Sequence, residues 1–259
     1  MYFNMKLSLL LMTYAITMNI SAQVKPVTSG VFHWDDLAVK KDGQREGRKI
    51  LESTTHEFSY FEIHATTQQK GAIPKPVHTQ KDIEELIIIK EGRMKCTIGD
   101  KIAVLGAGSV LLIPPQEAQT FENVGDSPLT YYVLMFRSDS MNMERNKMAG
   151  GSLLLNYDSL AYTEKGSKGT RKYFDRPTAM CANYEMHITY LKEKGPSHAP
   201  HQHIDTEIIL VINGEVGMDI DGKTYTGGAG DLFIAESGKL HGVSNAADKP
   251  CSYFAFKWR

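Results

Sequence analysis

Three histidines and a glutamate fall at a spacing that suits a divalent transition metal. They are His201, His203 and Glu207 in the run His201-Gln202-His203-Ile204-Asp205-Thr206-Glu207, with His241 further along. On a β-strand, residues i and i+2 share a face, so His201 and His203 are expected to reach one ion together. Glu207 returns to the same face, and His241 is expected from a separate strand after a Gly-rich reversal. The alternative is a hydrogen-bonded core network. Burying three imidazoles and a carboxylate without an ion is costly unless every polar atom is paired. A bound metal requires neutral histidines and an ionised glutamate, so acid should release it.

Such a set fills four positions, and an ion that prefers six keeps two adjacent open ones. One Mn²⁺ or Fe²⁺ suits that arrangement, with Zn²⁺ or Ni²⁺ as alternatives. Adjacent open sites favour a small substrate that chelates through neighbouring oxygens, such as a hydroxy acid, a keto acid or an open-form sugar. The metal would act as a Lewis acid. Proton transfer needs a further group. Glu185 and His187 share a face of the strand that precedes the motif, and either could be a general base. Arg171 could hold an anionic substrate, and His198 could line the mouth. Each has a plainer reading. Glu62 with His64, and Arg48 with Lys49, recur at the same places in a repeat that lacks the histidine set, which favours structural roles. His198 could be an ordinary loop residue.

The elements that carry these residues come from a duplication. Trp34-Asp35-Asp36-Leu37-Ala38 matches Tyr157-Asp158-Ser159-Leu160-Ala161 at an offset of 123, as does Phe61-Glu62-Ile63-His64 with Tyr184-Glu185-Met186-His187. After a small length change the offset becomes 122, pairing Glu85 with Glu207, Gly92 with Gly214, Gly108 with Gly230 and Asn123 with Asn245. Two copies of a long unit mean a duplicated domain, not a solenoid. Each copy has short β-branched runs closed by Gly turns. Gly99-Asp100 and Asp221-Gly222 mark hairpins. The class is therefore all-β, built as barrels or jelly rolls. Ser138 to Ser152, with Met141, Met143 and Met148, breaks the pattern as an inter-domain connection. Its methionines are expected to form a packing face.

Composition narrows the partners. With 259 residues, 42% hydrophobic and 23% charged, and a net charge of −1, the chain is ordinary in class. It has no dense Lys/Arg cluster, so a nucleic-acid surface is not expected. Lys6, the apolar run Leu7 to Ile20 and the small residues Ser21-Ala22 read as a secretory signal over residues 1–22. Cleavage there would leave a periplasmic or secreted protein with no membrane span. Three cysteines, Cys96, Cys181 and Cys251, are expected as small buried side chains.

The run from Gly195 through His201, His203 and Glu207 to Gly214 resembles the first cupin motif. Gly230 through His241 to Asn245 resembles the second, except that Glu236-Ser237-Gly238 stands where Pro-x-Gly is common. The resemblance implies a bicupin: two tandem jelly-roll barrels, over 23–140 and 141–259, with His201, His203, Glu207 and His241 as metal ligands. In the first copy the corresponding residues are His78, Gln80, Glu85 and Gln119. Amide oxygens are weaker ligands than imidazole, so that barrel is expected to hold no metal. Cupins with this ligand set include isomerases, decarboxylases, hydrolases and dioxygenases. Redox-neutral chemistry on a small sugar or organic acid is expected. A quercetinase-type dioxygenase and a non-catalytic sugar- or metal-binding module are the alternatives. A homodimer is a further expectation from the resemblance.

Overall fold

The computed structural model describes residues 24–259; the expected signal segment over residues 1–22 lies outside them. Each half forms one large and one small antiparallel sheet. In the second half the large sheet has seven strands in the order Gly30–Phe32, Leu232–Ala235, Thr206–Asn213, Cys251–Trp258, Tyr184–Leu191, Lys168–Arg176, Tyr162–Lys165. The small one runs Gly195–Pro196, His241–Asn245, Val216–Ile220, Lys223–Gly227. The first half repeats this with a seven-stranded and a three-stranded sheet, giving two jelly-roll barrels. The expected hairpins form: Arg93–Ile98 pairs with Lys101–Gly106, and Val216–Ile220 with Lys223–Gly227. Gly99, Asp221 and Gly222 adopt positive φ at the two turns, which glycine permits and Asp tolerates.

The central strands are apolar on both faces because both are covered. In Glu84–Glu91, Ile87 and Ile89 fill the first barrel, while Leu86 and Ile88 point to the other half. In Thr206–Asn213, Ile209 and Val211 fill the second barrel, while Ile208 and Leu210 point outwards to the shared core. The two large sheets thus pack against each other. Phe58 stacks on Phe136 and Trp258, with ring centroids 4.8 and 5.1 Å away. Polar contacts cross this core as well. Glu57 accepts from the indole Nε1 of Trp258 at 3.1 Å and from Thr206 Oγ1 at 3.3 Å, at the start of the strand that carries Glu207.

The halves also exchange edge strands. Gly30–Phe32 pairs with Leu232–Ala235 of the second barrel, and Leu153–Leu155 pairs with Val110–Ile113 of the first. Covering an edge removes a row of unpaired backbone groups. Asp231 pins the first exchange: it accepts from the backbone N–H of Trp34 at 2.8 Å and meets His33 Nδ1 at 2.8 Å. Glu236 accepts from both the backbone and the hydroxyl of Ser29 at 2.8 Å. That contact gives a physical reason for Glu236-Ser237-Gly238 in the second motif, since a proline there could not hold the exchanged segment.

Two of the three methionines in the segment Ser138 to Ser152 do not form the expected packing face, and Met143 is half-buried. Met141 and Met148 are 40% and 88% exposed. A short helix, Met143–Met148, is capped by Asn142, whose side chain accepts from Arg145 N. Arginines anchor the segment instead: Arg145 donates to the carbonyls of Thr178 and Ala179, and Arg176 to those of Ala149 and Gly151. All three cysteines are buried and free. Among the described residues no helix is long and apolar enough to cross a membrane.

Candidate metal centre

His201, His203, Glu207 and His241 converge, with one ligand atom from each lying within 4.8 Å of the others. The local route differs from the expected strand. His201 is joined to His241 by an isolated antiparallel bridge, and residues 202–205 form a loop before the strand Thr206–Asn213 begins. Buried Asp205 draws the chain inwards, near Lys257 at 3.9 Å and Arg259 at 3.8 Å. His203 turns back to donate from Nδ1 to the Asp205 carbonyl at 3.0 Å. His241 opens the strand His241–Asn245, as expected from the Gly-rich reversal.

The hydrogen bonds define which nitrogens face the centre. Nδ1 of His203 faces the carbonyl of Asp205, and Nδ1 of His241 faces that of Lys239 at 2.8 Å. A carbonyl only accepts, so both Nδ1 atoms carry hydrogen. Their Nε2 atoms then meet the same Glu207 Oε2 at 2.9 and 3.1 Å. Lone pairs of two imidazoles cannot rest against a carboxylate oxygen unless a proton or a cation lies between them. Backbone carbonyls that fix the tautomer from behind are the usual support of a metal-binding histidine. Nδ1 of His201 is buried with no hydrogen-bond partner. These features fit a divalent ion.

The electrostatics agree. Burial disfavours the Glu207 carboxylate, but the His203 and His241 contacts overcome it and hold the group well below the usual range. Burial, with the neighbouring His241, lowers His201. For His241, burial works downwards, but the Glu207 contact and the Lys239 carbonyl raise it.

The centre opens onto a cavity of about 250 Å³. Glu185, His187 and His198 line it, as do Lys168 and Lys257. Glu185 lies 3.5 Å from His187 Nδ1. That contact holds the carboxyl below its usual range against the opposing effect of burial. The His198 ring packs 4.6 Å from that of His201.

Arg171 is not among the residues lining this cavity. Its guanidinium lies over the Tyr157 ring at 4.7 Å and donates to the Leu160 carbonyl. Arg48 lies over Trp34 at the same 4.7 Å in the first half, so the arginine clamps its own half in both copies. Sequence reasoning missed Lys168 and Lys257. Lys257 sits opposite both Glu185 and Glu207 in the sheet register. For Lys168 a signal existed: Arg45 stands at the same place in the first copy, at the offset of 123.

In the first barrel the amides take over. Gln80 donates to Glu85 Oε1 at 3.2 Å, and Gln119 to Glu85 Oε2. Both carboxylate oxygens are thereby satisfied by neutral donors where imidazoles stand in the second barrel. Among the described residues, His201, His203, Glu207 and His241 are the one group with this metal-ready geometry.

Two β-barrels, one with a candidate metal centre, define a class of duplicated jelly-roll proteins. The cupin domain model matches residues 64–135 and 187–257. The chain belongs to the cupin family, as a bicupin. Its fold is similar to that of AerE from Microcystis aeruginosa, with a TM-score of 0.68 and 13% identity, covering 92% of this chain and 100% of that one. Lactobacillus farciminis oxalate decarboxylase, solved as a formate complex, gives 0.69 and 13%, covering 90% and 87%. Bacillus subtilis oxalate decarboxylase, described for its Mn(II) centres, gives 0.66 and 14%, covering 91% and 78%. No curated protein matches the sequence.

Proposed function

We propose that this protein is an exported metalloenzyme that carries out redox-neutral chemistry on a small organic acid. One divalent metal would be held by His201, His203, Glu207 and His241. The observation that carries the reading is the joining of this ligand set to a cavity lined by two ammonium groups and an acid–base pair. When bound, the metal supplies Lewis-acid stabilisation of charge on the substrate's oxygens.

The chain's own residues supply the rest. Lys168 and Lys257 would draw in a carboxylate. Lys168 Nζ is steadied by the Ser197 hydroxyl at 3.0 Å, and burial lowers its pKa. Glu185 stays ionised at neutral pH, so it can accept a proton, with His187 beside it to relay or return that proton. Tyr253 and Ile209, both buried, complete the cavity wall beside these groups. An acid is favoured over a neutral sugar because of the two lysines. The similarity to oxalate decarboxylases points the same way. Mn²⁺ is the favoured ion on the same comparison, with Fe²⁺ next.

The test is to incubate metal-loaded protein with a panel of hydroxy, keto and dicarboxylic acids and open-form sugars. Products would be followed by NMR and oxygen by electrode. Turnover of an acid without oxygen uptake is expected. Oxygen consumption coupled to turnover would replace this reading with a dioxygenase, and ligand binding with no turnover would replace it with a binding module. Export is tested separately by N-terminal sequencing of protein from its native cell: a mature end near residue 23 is expected, and an intact Met1 or Met5 would refute it.

A further inference from the structure

The first barrel keeps a cavity although two of its imidazoles are gone. It measures about 180 Å³, and its lining includes Arg45, Gln68, Lys75, His78 and Glu85. Glu85 is already held by Gln80 and Gln119. The cations are not held in the same way. Arg45 donates through Nη2 to the Ile73 carbonyl, while its Nη1 is buried with no hydrogen-bond partner. Among the described residues, neither Arg45 nor Lys75 forms an ion pair.

Beside Arg45 lies an unmet acceptor. Gln68 is 1% exposed and donates to the Tyr131 hydroxyl at 3.1 Å, which leaves its Oε1 buried without a donor. Arg45 and Gln68 are direct partners in the register of their strands, Arg45–Ser53 and Tyr60–Gln68. A buried donor and a buried acceptor, both unpaired, therefore sit side by side on one wall. Each carries a desolvation cost unless something bonds to it.

The repeat sharpens the point. Arg45 occupies the place of Lys168, which lines the other cavity, and Gln68 occupies the place of Leu191. The cation persists where the histidine set does not, and a polar side chain stands where the other copy has an apolar one. A cation at this place, without the histidine set beside it, points to an anion site that works without a metal.

We propose that the first barrel binds a small hydroxycarboxylate, with the carboxylate on Arg45 and Lys75 and the hydroxyl donating to Gln68 Oε1. Charge-assisted contacts to a guanidinium and an ammonium give the affinity, and the Gln68 oxygen selects for a donor next to the acid. The site does not depend on the metal reading of the second barrel, so the two can fail separately.

The experiment is calorimetric titration of L-malate into full-length protein that has been stripped of metal and freed of chelator, and into the His203→Ala variant. Malate is expected to bind both. Arg45→Gln and Lys75→Gln, made in the stripped protein, should each weaken it by about tenfold or more, the loss expected for one charge-assisted bond. Glycolate should bind more tightly than acetate if Gln68 reads the hydroxyl. Lys75 is exposed, so its variant keeps the test valid should Arg45→Gln fold poorly. Failure of malate to bind stripped protein would overturn the proposal. So would binding that neither substitution alters.

Discussion

Replacing Glu84 with glutamine should change how the fold responds to pH. Glu84 opens the strand Glu84–Glu91 of the first half and is fully buried. It accepts from Thr178 Oγ1 at 2.7 Å and from the Met180 N–H at 2.9 Å, both in the second half. Burial pushes its pKa from 4.5 up to about 7, despite those two hydrogen bonds and the nearby Arg176. An unfolded chain would release this proton near the ordinary value. Below that value both states are protonated, and the stabilising contribution is fully present. Between the two values the unfolded state ionises first, so stability falls by about 1.4 kcal/mol per pH unit. By about pH 8 the loss reaches about 3 kcal/mol. Glu84→Gln keeps an acceptor for Thr178 and Met180 but carries no titrating proton. Its amide nitrogen adds a buried donor, a cost of about 1–3 kcal/mol that does not vary with pH. Urea unfolding of metal-stripped wild type and variant at about pH 4.5 and pH 8 isolates the titration, because every other group is common to both. The difference should move in the variant's favour by about 3 kcal/mol between the two conditions. A difference that stays constant would refute the reasoning.

Two further outcomes follow from the contacts around the barrels. Asp231→Ala removes the acceptor for the Trp34 and Gly228 N–H groups and for His33. It should cost about 3 kcal/mol in chemical denaturation, and an unchanged midpoint would mean that the exchanged strand is held by other means. The double substitution Gln80→His with Gln119→His places imidazoles beside His78 and Glu85 in the first barrel. Metal content should rise from one towards two per chain; a value that stays at one would show that the amides are not what excludes the ion.

Much of this architecture could be read from residue types and spacing. The duplication, the hairpins at Gly99 and Asp221-Gly222, and the four converging residues depend on local pattern and on a repeat, both visible in one dimension. The path of His201 and His203 was not legible. Alternation placed them on one strand, but buried Asp205 and the His203 turn break it. Lys257 reaches the cavity through sheet register, which pairs residues far apart in sequence. The edge-strand exchange was also hidden, since only contact between Ser29 and Glu236 explains an acid in place of a proline. Arg171 shows the converse: its type suggested an anion, while its neighbours made it a clamp on Tyr157.

The most direct test of the central claim is the metal content of the purified protein, measured by elemental analysis beside His203→Ala and Gln80→Ala. One divalent ion per chain in the wild type, its loss in His203→Ala and its retention in Gln80→Ala are predicted. No metal after reconstitution, or two ions per chain in the wild type, would contradict the assignment of a single centre to the second barrel.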